Sequence, residues 1–267
     1  MQLRFVSGLL RHRELLVSLT ERDVVGRYRG SLLGWSWSLV NPILMLAVYT
    51  FVFSQVFKAR WTGLEASGPW GFALNLFAGL IVFNMFAECA TKAPTLVLNN
   101  ANFVTKVVFP LEILGAVTVG AAVFHAATSL VVLIAFELVA MHYVPATILW
   151  LPVVWIPLLA GCLSISWLLS ALGVFIRDIN QVINVLVSML MFLSAVFYPA
   201  SSLPARMQPL MQLNPLVVLI EQTRKVAVLG EMPSPQYIGL GIVLGLVACE
   251  FSYRCFQKAR RGFADVI

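Results

Sequence analysis

Charge is scarce in this sequence. Only 11% of its 267 residues are Asp, Glu, Lys or Arg, whereas 60% are hydrophobic and the mean hydropathy is +0.89. Ordinary soluble domains carry about 25% charged residues, so this composition excludes one and points to an integral membrane protein. A phosphate-cradling loop is also missing. None of the five lysines, Lys58, Lys92, Lys106, Lys225 and Lys258, follows a glycine, so there is no Gly-Lys-Ser/Thr end to a P-loop. Any energy from ATP must therefore arrive through another subunit. Cysteine is sparse as well: Cys89, Cys162, Cys249 and Cys255 match neither a zinc site nor a CxxC pair, and packing is their expected role. No metal site is expected. The net charge of +6 does not indicate nucleic acid, because the basic residues sit between apolar runs and at the ends, where a membrane surface accounts for them. No signal peptide is expected, since the first adequate apolar run begins only near Trp35 and no small-residue cleavage pattern follows.

What the chain does have is length without charge. Six apolar segments, at about 37–57, 71–91, 113–139, 147–173, 180–199 and 237–257, predict an all-α membrane protein with six transmembrane helices. Before them, Arg4, Ser7, Arg11, Glu14, Ser18, Arg22 and Arg29 recur at helical steps, with Phe5, Leu9, Leu16 and Val24 largely opposite. Residues 1–34 thus read as an amphipathic segment, lying in the interface plane or packed on a partner, and 35–267 as the membrane domain. Gly26 and Gly30 allow a change of direction before the first span. Two connections are long. The polar loop 92–112 has room for one short helix, and the proline-rich stretch 200–236 has an apolar centre, 216–220, too short to span, which predicts short re-entrant or interfacial helices. Thirteen of the 18 lysines and arginines fall on the side that holds both ends, which places both termini in the cytoplasm, the 92–112 loop with them and 200–236 outside. No internal repeat supports an inverted-repeat carrier.

Few residues suit covalent chemistry. His125, Ser129 and Glu137 follow one another along the third segment at different depths, so a bridging histidine competes with a proton relay. Glu88 with Lys92, and Glu250 with Arg254, are i, i+4 pairs that neutralise themselves. Two stripes at a four-residue step carry more information. Asn41, Met45, Tyr49 and Phe53 mark the first segment; Asn180, Asn184 and Ser188, leading to Phe192 and Tyr198, mark the fifth. Polar groups in lipid need partners or water, so these stripes line a conduit or pack helices together. Aromatic rings in such a track would also suit sugars.

The order of motifs resembles a known family. Arg22-Asp23, then Arg27-Tyr28-Arg29-Gly30-Ser31, Leu33-Gly34, Trp37 and Asn41-Pro42 resemble the N-terminal signature of membrane subunits of ATP-binding-cassette exporters for polysaccharide and O-antigen. Residues 106–112 resemble the family's cytoplasmic loop, and Phe197-Tyr198-Pro199, Leu203-Pro204 and Asn214-Pro215-Leu216 its outer loop. The resemblance implies a non-enzymatic permease of the bacterial inner membrane. It would act as a homodimer with two copies of a separate ATPase that binds ATP-Mg, needing no cofactor of its own. The substrate would be an undecaprenyl-linked glycan, most simply lipopolysaccharide O-antigen, with teichoic acid or capsular polysaccharide as alternatives. It further implies that Asn99, Asn102, Phe103 and Lys106 couple to the ATPase, that 200–236 gates the outer mouth, and that Arg22, Arg27 and Arg29 face a lipid pyrophosphate or bulk headgroups. A membrane-embedded glycosyl or acyl transferase and a proton-coupled carrier are the rival classes.

Overall fold

The computed structural model describes residues 4–56, 68–105 and 109–267. A chain in hydrocarbon must satisfy its backbone internally, and every regular element among the described residues is helical. α1 (Arg4–Arg11) and α2 (Arg13–Tyr28) precede α3 (Trp37–Thr50), which continues into the π-helical stretch Phe51–Val56. α4 (Gly68–Lys92), the short α5 (Ala101–Thr105), α6 (Glu112–Met141) and α7 (Leu151–Phe175) follow. α8 (Ile179–Leu193), the short α9 (Gln208–Gln212), α10 (Pro215–Arg224) and α11 (Pro235–Ala259) complete the chain. Gly30 and Gly34, with φ of 87° and 53°, make the turn between α2 and α3, whereas Gly26 stays inside α2.

Among the described residues five stretches are long and apolar enough to cross a bilayer: Gly34–Phe53, Trp70–Thr95, Glu112–Met141, Ala146–Phe175 and Pro235–Asp265. α4 is the centre, buried without interruption over 71–83, as a helix apolar on all sides should be. α7 and α11 form the closest pair. Gly241 and Gly245 bring the backbones together, for a Cβ at Gly245 would lie 2.8 Å from Cβ of Ala160. The Ser164 and Ser252 hydroxyls then bond across the seam at 2.7 Å. α2 lies along α6, its Thr20 set against Gly120, where an added Cβ would stand 2.9 Å away. Cys89, Cys162 and Cys249 are buried in the core.

The fifth apolar segment differs from the expected span. α8 has 15 residues, about 22 Å at 1.5 Å per residue and so short of a core of about 30 Å. It stops because Ser194 leaves the helix and Ala195 turns left-handed, at φ 53°. The buried backbone just past the break meets Arg224, which is 3% exposed. Its Nη1 and Nη2 donate to the carbonyl oxygens of Ala195 and Val196 at 2.9 and 2.6 Å, and its Nε to that of Asn75 at 2.9 Å. Gly79 makes room for the guanidinium: a Cβ there would come within 2.6 Å of Nη2. Asn214 caps α10 by accepting from the Leu216 amide at 3.0 Å with Pro215 at the first helical position, and its Nδ2 reaches Ser194 Oγ at 3.1 Å. The 200–236 stretch therefore has two characters. Residues 201–213 are mostly exposed around α9, whereas 216–228 are mostly buried along α10 and the π-helical turn Lys225–Leu229.

Gly173 supplies the sharpest test of this packing. A Cβ at that position would overlap the Pro94 carbonyl, a backbone atom that cannot swing aside. Gly173→Ala is expected to cost about 1–3 kcal/mol or more and to lower the thermal midpoint in detergent. Gly161→Ala on the same helix, where nothing lies within 4 Å, should leave the midpoint within error. Equal midpoints for both variants would contradict the seating of the 93–95 turn on α7.

Candidate functional site

Both chain ends meet at one end of the bundle. Phe5 of α1 packs edge-on to Trp167, with centroids 5.9 Å apart, and Gly8 approaches the Tyr253 hydroxyl near the end of α11. At this end α2, α3, α4 and α6 leave a cleft of about 580 Å³ between them. Its wall combines aromatic rings (Tyr28, Trp37, Tyr49), amides (Asn41, Asn84), hydroxyls (Thr128, Ser129) and charges (Arg27, Glu88, Lys92). The depth is lined by Phe77, Leu80, Ile81 and Met85. Such a mixture suits a ligand with hydroxyls and apolar faces.

Glu88 organises the charges. Its Oε1 accepts from Arg27 Nη2 at 2.6 Å and lies 3.0 Å from Lys92 Nζ, while its Oε2 is 2.9 Å from His125 Nδ1. Lys92 Nζ also reaches Asp23 Oδ2 at 3.2 Å. Arg27 Nη1 stands 3.1 Å from the same His125 Nδ1. That nitrogen has one hydrogen position, so it donates to Glu88 or accepts from Arg27, not both. Three helices are thereby joined at one carboxylate. The Glu88 side chain is 13% exposed, so these charge-assisted bonds are weakly screened, whereas Arg27, at 40%, keeps guanidinium surface towards the opening.

The i, i+4 reading of Glu88 with Lys92 is correct but incomplete, since Arg27 lies 61 positions away and His125 37. The missed signal was an acid and a base in two successive apolar segments, residues that rarely enter membranes singly. His125 bridges helices, as one sequence reading expected. Glu137 does not join it: its carboxyl is buried and without a hydrogen-bond partner among the described residues, twelve residues further along α6.

The structure divides the other candidate residues. Asn41, Met45 and Tyr49 line the cleft. Phe53 instead stacks on Phe72 and Phe197, with centroids 5.1 and 6.2 Å apart. Asn184, Ser188 and Phe192 border a separate, shallow groove of about 420 Å³ on α8, and Asn180 lies one turn before it. The two stripes are linked through Phe197, which stacks on Phe53 of the first and, at 5.6 Å, on Phe192 of the second; within the second, the Tyr198 hydroxyl donates to the Phe192 carbonyl at 2.9 Å. Arg22 lines a second hollow of about 380 Å³ with Asp23, Lys92, Leu96 and Asn100, and Arg29 is exposed at the end of α2. Asn99 and Asn102 are exposed, whereas Phe103 turns inwards onto Phe109; Lys106 lies outside the described residues. Among the described residues no three His, Cys, Asp or Glu gather as metal ligands.

Residues 14–228 match the family described as ABC-2 type transporter. The chain is 26% identical over 255 residues to the O-antigen export system permease protein RfbA of Klebsiella pneumoniae, covering 95% of each chain. It is 25% identical to the protein of that name from Myxococcus xanthus, over 99% of this chain and 100% of that one. It is also 21% identical to the polysialic acid transport protein KpsM of Escherichia coli, over 91% of this chain and 90% of that one. With most of its length inside the match, the chain belongs to the ABC-2 type transporter family and is a membrane subunit of the transport type, without a catalytic domain.

Proposed function

We propose that this chain is the permease of an ATP-driven exporter that moves a lipid-linked polysaccharide, best read as lipopolysaccharide O-antigen, from the cytoplasm to the periplasm. The observation that carries this reading is the nearly complete two-way overlap with O-antigen export permeases, together with a cleft whose lining suits a sugar. A glycan's hydroxyls each lose water in hydrocarbon at several kcal/mol unless partnered, so its route needs polar or aromatic walls. Capsular polysaccharide is the second reading, favoured by the overlap with the polysialic acid transporter.

In this reading the basic end of the bundle is cytoplasmic, and α8 with the segment after it makes the sixth crossing. Two copies face each other and cover the stripes on α3 and α8. Asn184 and Ser188 support this, because exposed polar groups on a short apolar helix are better placed against protein or water than against lipid. Each copy receives one ATPase subunit at the exposed Asn99 and Asn102, with Phe103 as the inward anchor, and Lys106 takes part in the same contact. Arg27 and Arg22 face the pyrophosphate at the mouth of the cleft, and Arg29 faces bulk headgroups. Gating at the outer mouth belongs to 200–213 rather than to the buried α10.

The deciding experiment co-purifies the chain with a co-expressed ABC ATPase and follows ATP-dependent movement of an undecaprenyl-pyrophosphate glycan across proteoliposomes. A complex of two plus two and ATP-dependent movement are expected; movement by this chain alone, or driven by a pH gradient, would sink the reading. In that assay Tyr49→Ala, Phe192→Ala and Arg27→Ala should each lower export several-fold while the complex still forms. Glu88→Gln leaves Arg27 and Lys92 without their shared anion, which should cost about 1–3 kcal/mol in thermal unfolding and reduce export. An unchanged midpoint would show that the carboxylate is not the hub.

A further inference from the structure

The loop 92–112 is held to the bundle by contacts that converge on the tail after α11. Phe103 of α5 stacks face to face on Phe109, with centroids 4.3 Å apart and planes 12° from parallel. The carbonyl of Phe109 accepts from Arg260 Nη2 at 2.8 Å. The other arm of the same guanidinium, Nη1, donates to Glu112 Oε2 at 3.0 Å. Glu112 opens α6, and its own carbonyl accepts from the Trp167 indole of α7 at 2.8 Å. Behind the guanidinium, Phe263 is fully buried against Phe256 and Phe175, with centroids 5.6 and 6.0 Å apart. Arg260 thus bonds both to Phe109, ahead of α6, and to Glu112 in the first turn of α6, from a tail continuous with α11.

We propose that Arg260 is a positioning residue for energy coupling: it transmits displacement of α5 to α6 and α11 together, so that movement of the ATPase becomes movement of the spans. This rests on the reading of 99–106 as the ATPase contact. The physical reason is geometric. A stacked ring pair and a two-armed guanidinium resist shear in different directions, and only a planar fork satisfies a carbonyl and a carboxylate at once. A lysine in its place could serve one of them fully. The role differs from docking because both arms of Arg260 are bonded within this chain.

The test uses the complete complex in proteoliposomes with Arg260→Ala, Arg260→Lys and Glu112→Gln, reading thermal midpoint, subunit stoichiometry, ATP turnover and glycan exported per ATP. Arg260→Ala should keep the two-plus-two complex and hydrolyse ATP within about twofold of the parent, while glycan exported per ATP falls at least tenfold. Arg260→Lys and Glu112→Gln should give intermediate ratios. A parental ratio in Arg260→Ala overturns the proposal, as does loss of ATPase binding in step with loss of export, which would make Arg260 a docking residue. If Arg260→Ala does not fold, the lysine and glutamine variants decide, and parental ratios in both overturn it. Failure of the unsubstituted chain to bind any ATPase would instead remove the exporter reading itself, a result separable from all of these.

Discussion

A chain that leaves its helix among buried neighbours has backbone carbonyls with no helical partner and no water to meet, and here one buried guanidinium takes them up. Arg224 takes up the carbonyls of Ala195 and Val196, where α8 stops, and ties them to Asn75 on the central helix. Buried guanidinium is costly to desolvate, so the arrangement survives only because charged donors meet several acceptors at once. The rest of that end follows from it. Thr223 beside it accepts the Trp155 indole at 3.3 Å, and the Gln222 side chain accepts the Ser234 amide at 2.8 Å, holding the start of α11. Three successive side chains of α10 therefore secure three different parts of the bundle.

The opposite end is organised by the inverse device, an acid surrounded by cations. Glu88 draws Arg27, Lys92 and His125 to one point and so fixes how α2 sits against α4 and α6. The clusters are complementary: one satisfies backbone and closes a packed end, the other leaves guanidinium surface at the mouth of a cleft.

Hydrophobic run length made five long helices legible, since lipid allows few solutions for such a run. That 92–112 holds a short helix, α5, and that 216–220 lies in a helix too short to span, α10, were legible from polar residues and prolines. Family motifs could be seen but not explained: Asn214-Pro215 is a helix cap that also reaches Ser194, and Phe197-Tyr198 is a ring contact that closes on Phe192. What stayed hidden was pairing at long range. The break at Ala195 carries no glycine or proline in the run, because the strained residue is held by Arg224, 29 positions on. The Glu88 hub was read as a local pair because helical periodicity sees only neighbours on the same helix.

The shortness of α8 has a consequence for how a backbone can cross lipid here. α8 alone is roughly 8 Å shorter than an ordinary hydrocarbon core, so a crossing at this place has to be completed by residues outside the helical ladder. Non-helical backbone is tolerated at depth only where protein groups take up its polar atoms, and a charged three-way donor held on another helix is a means of doing so without water.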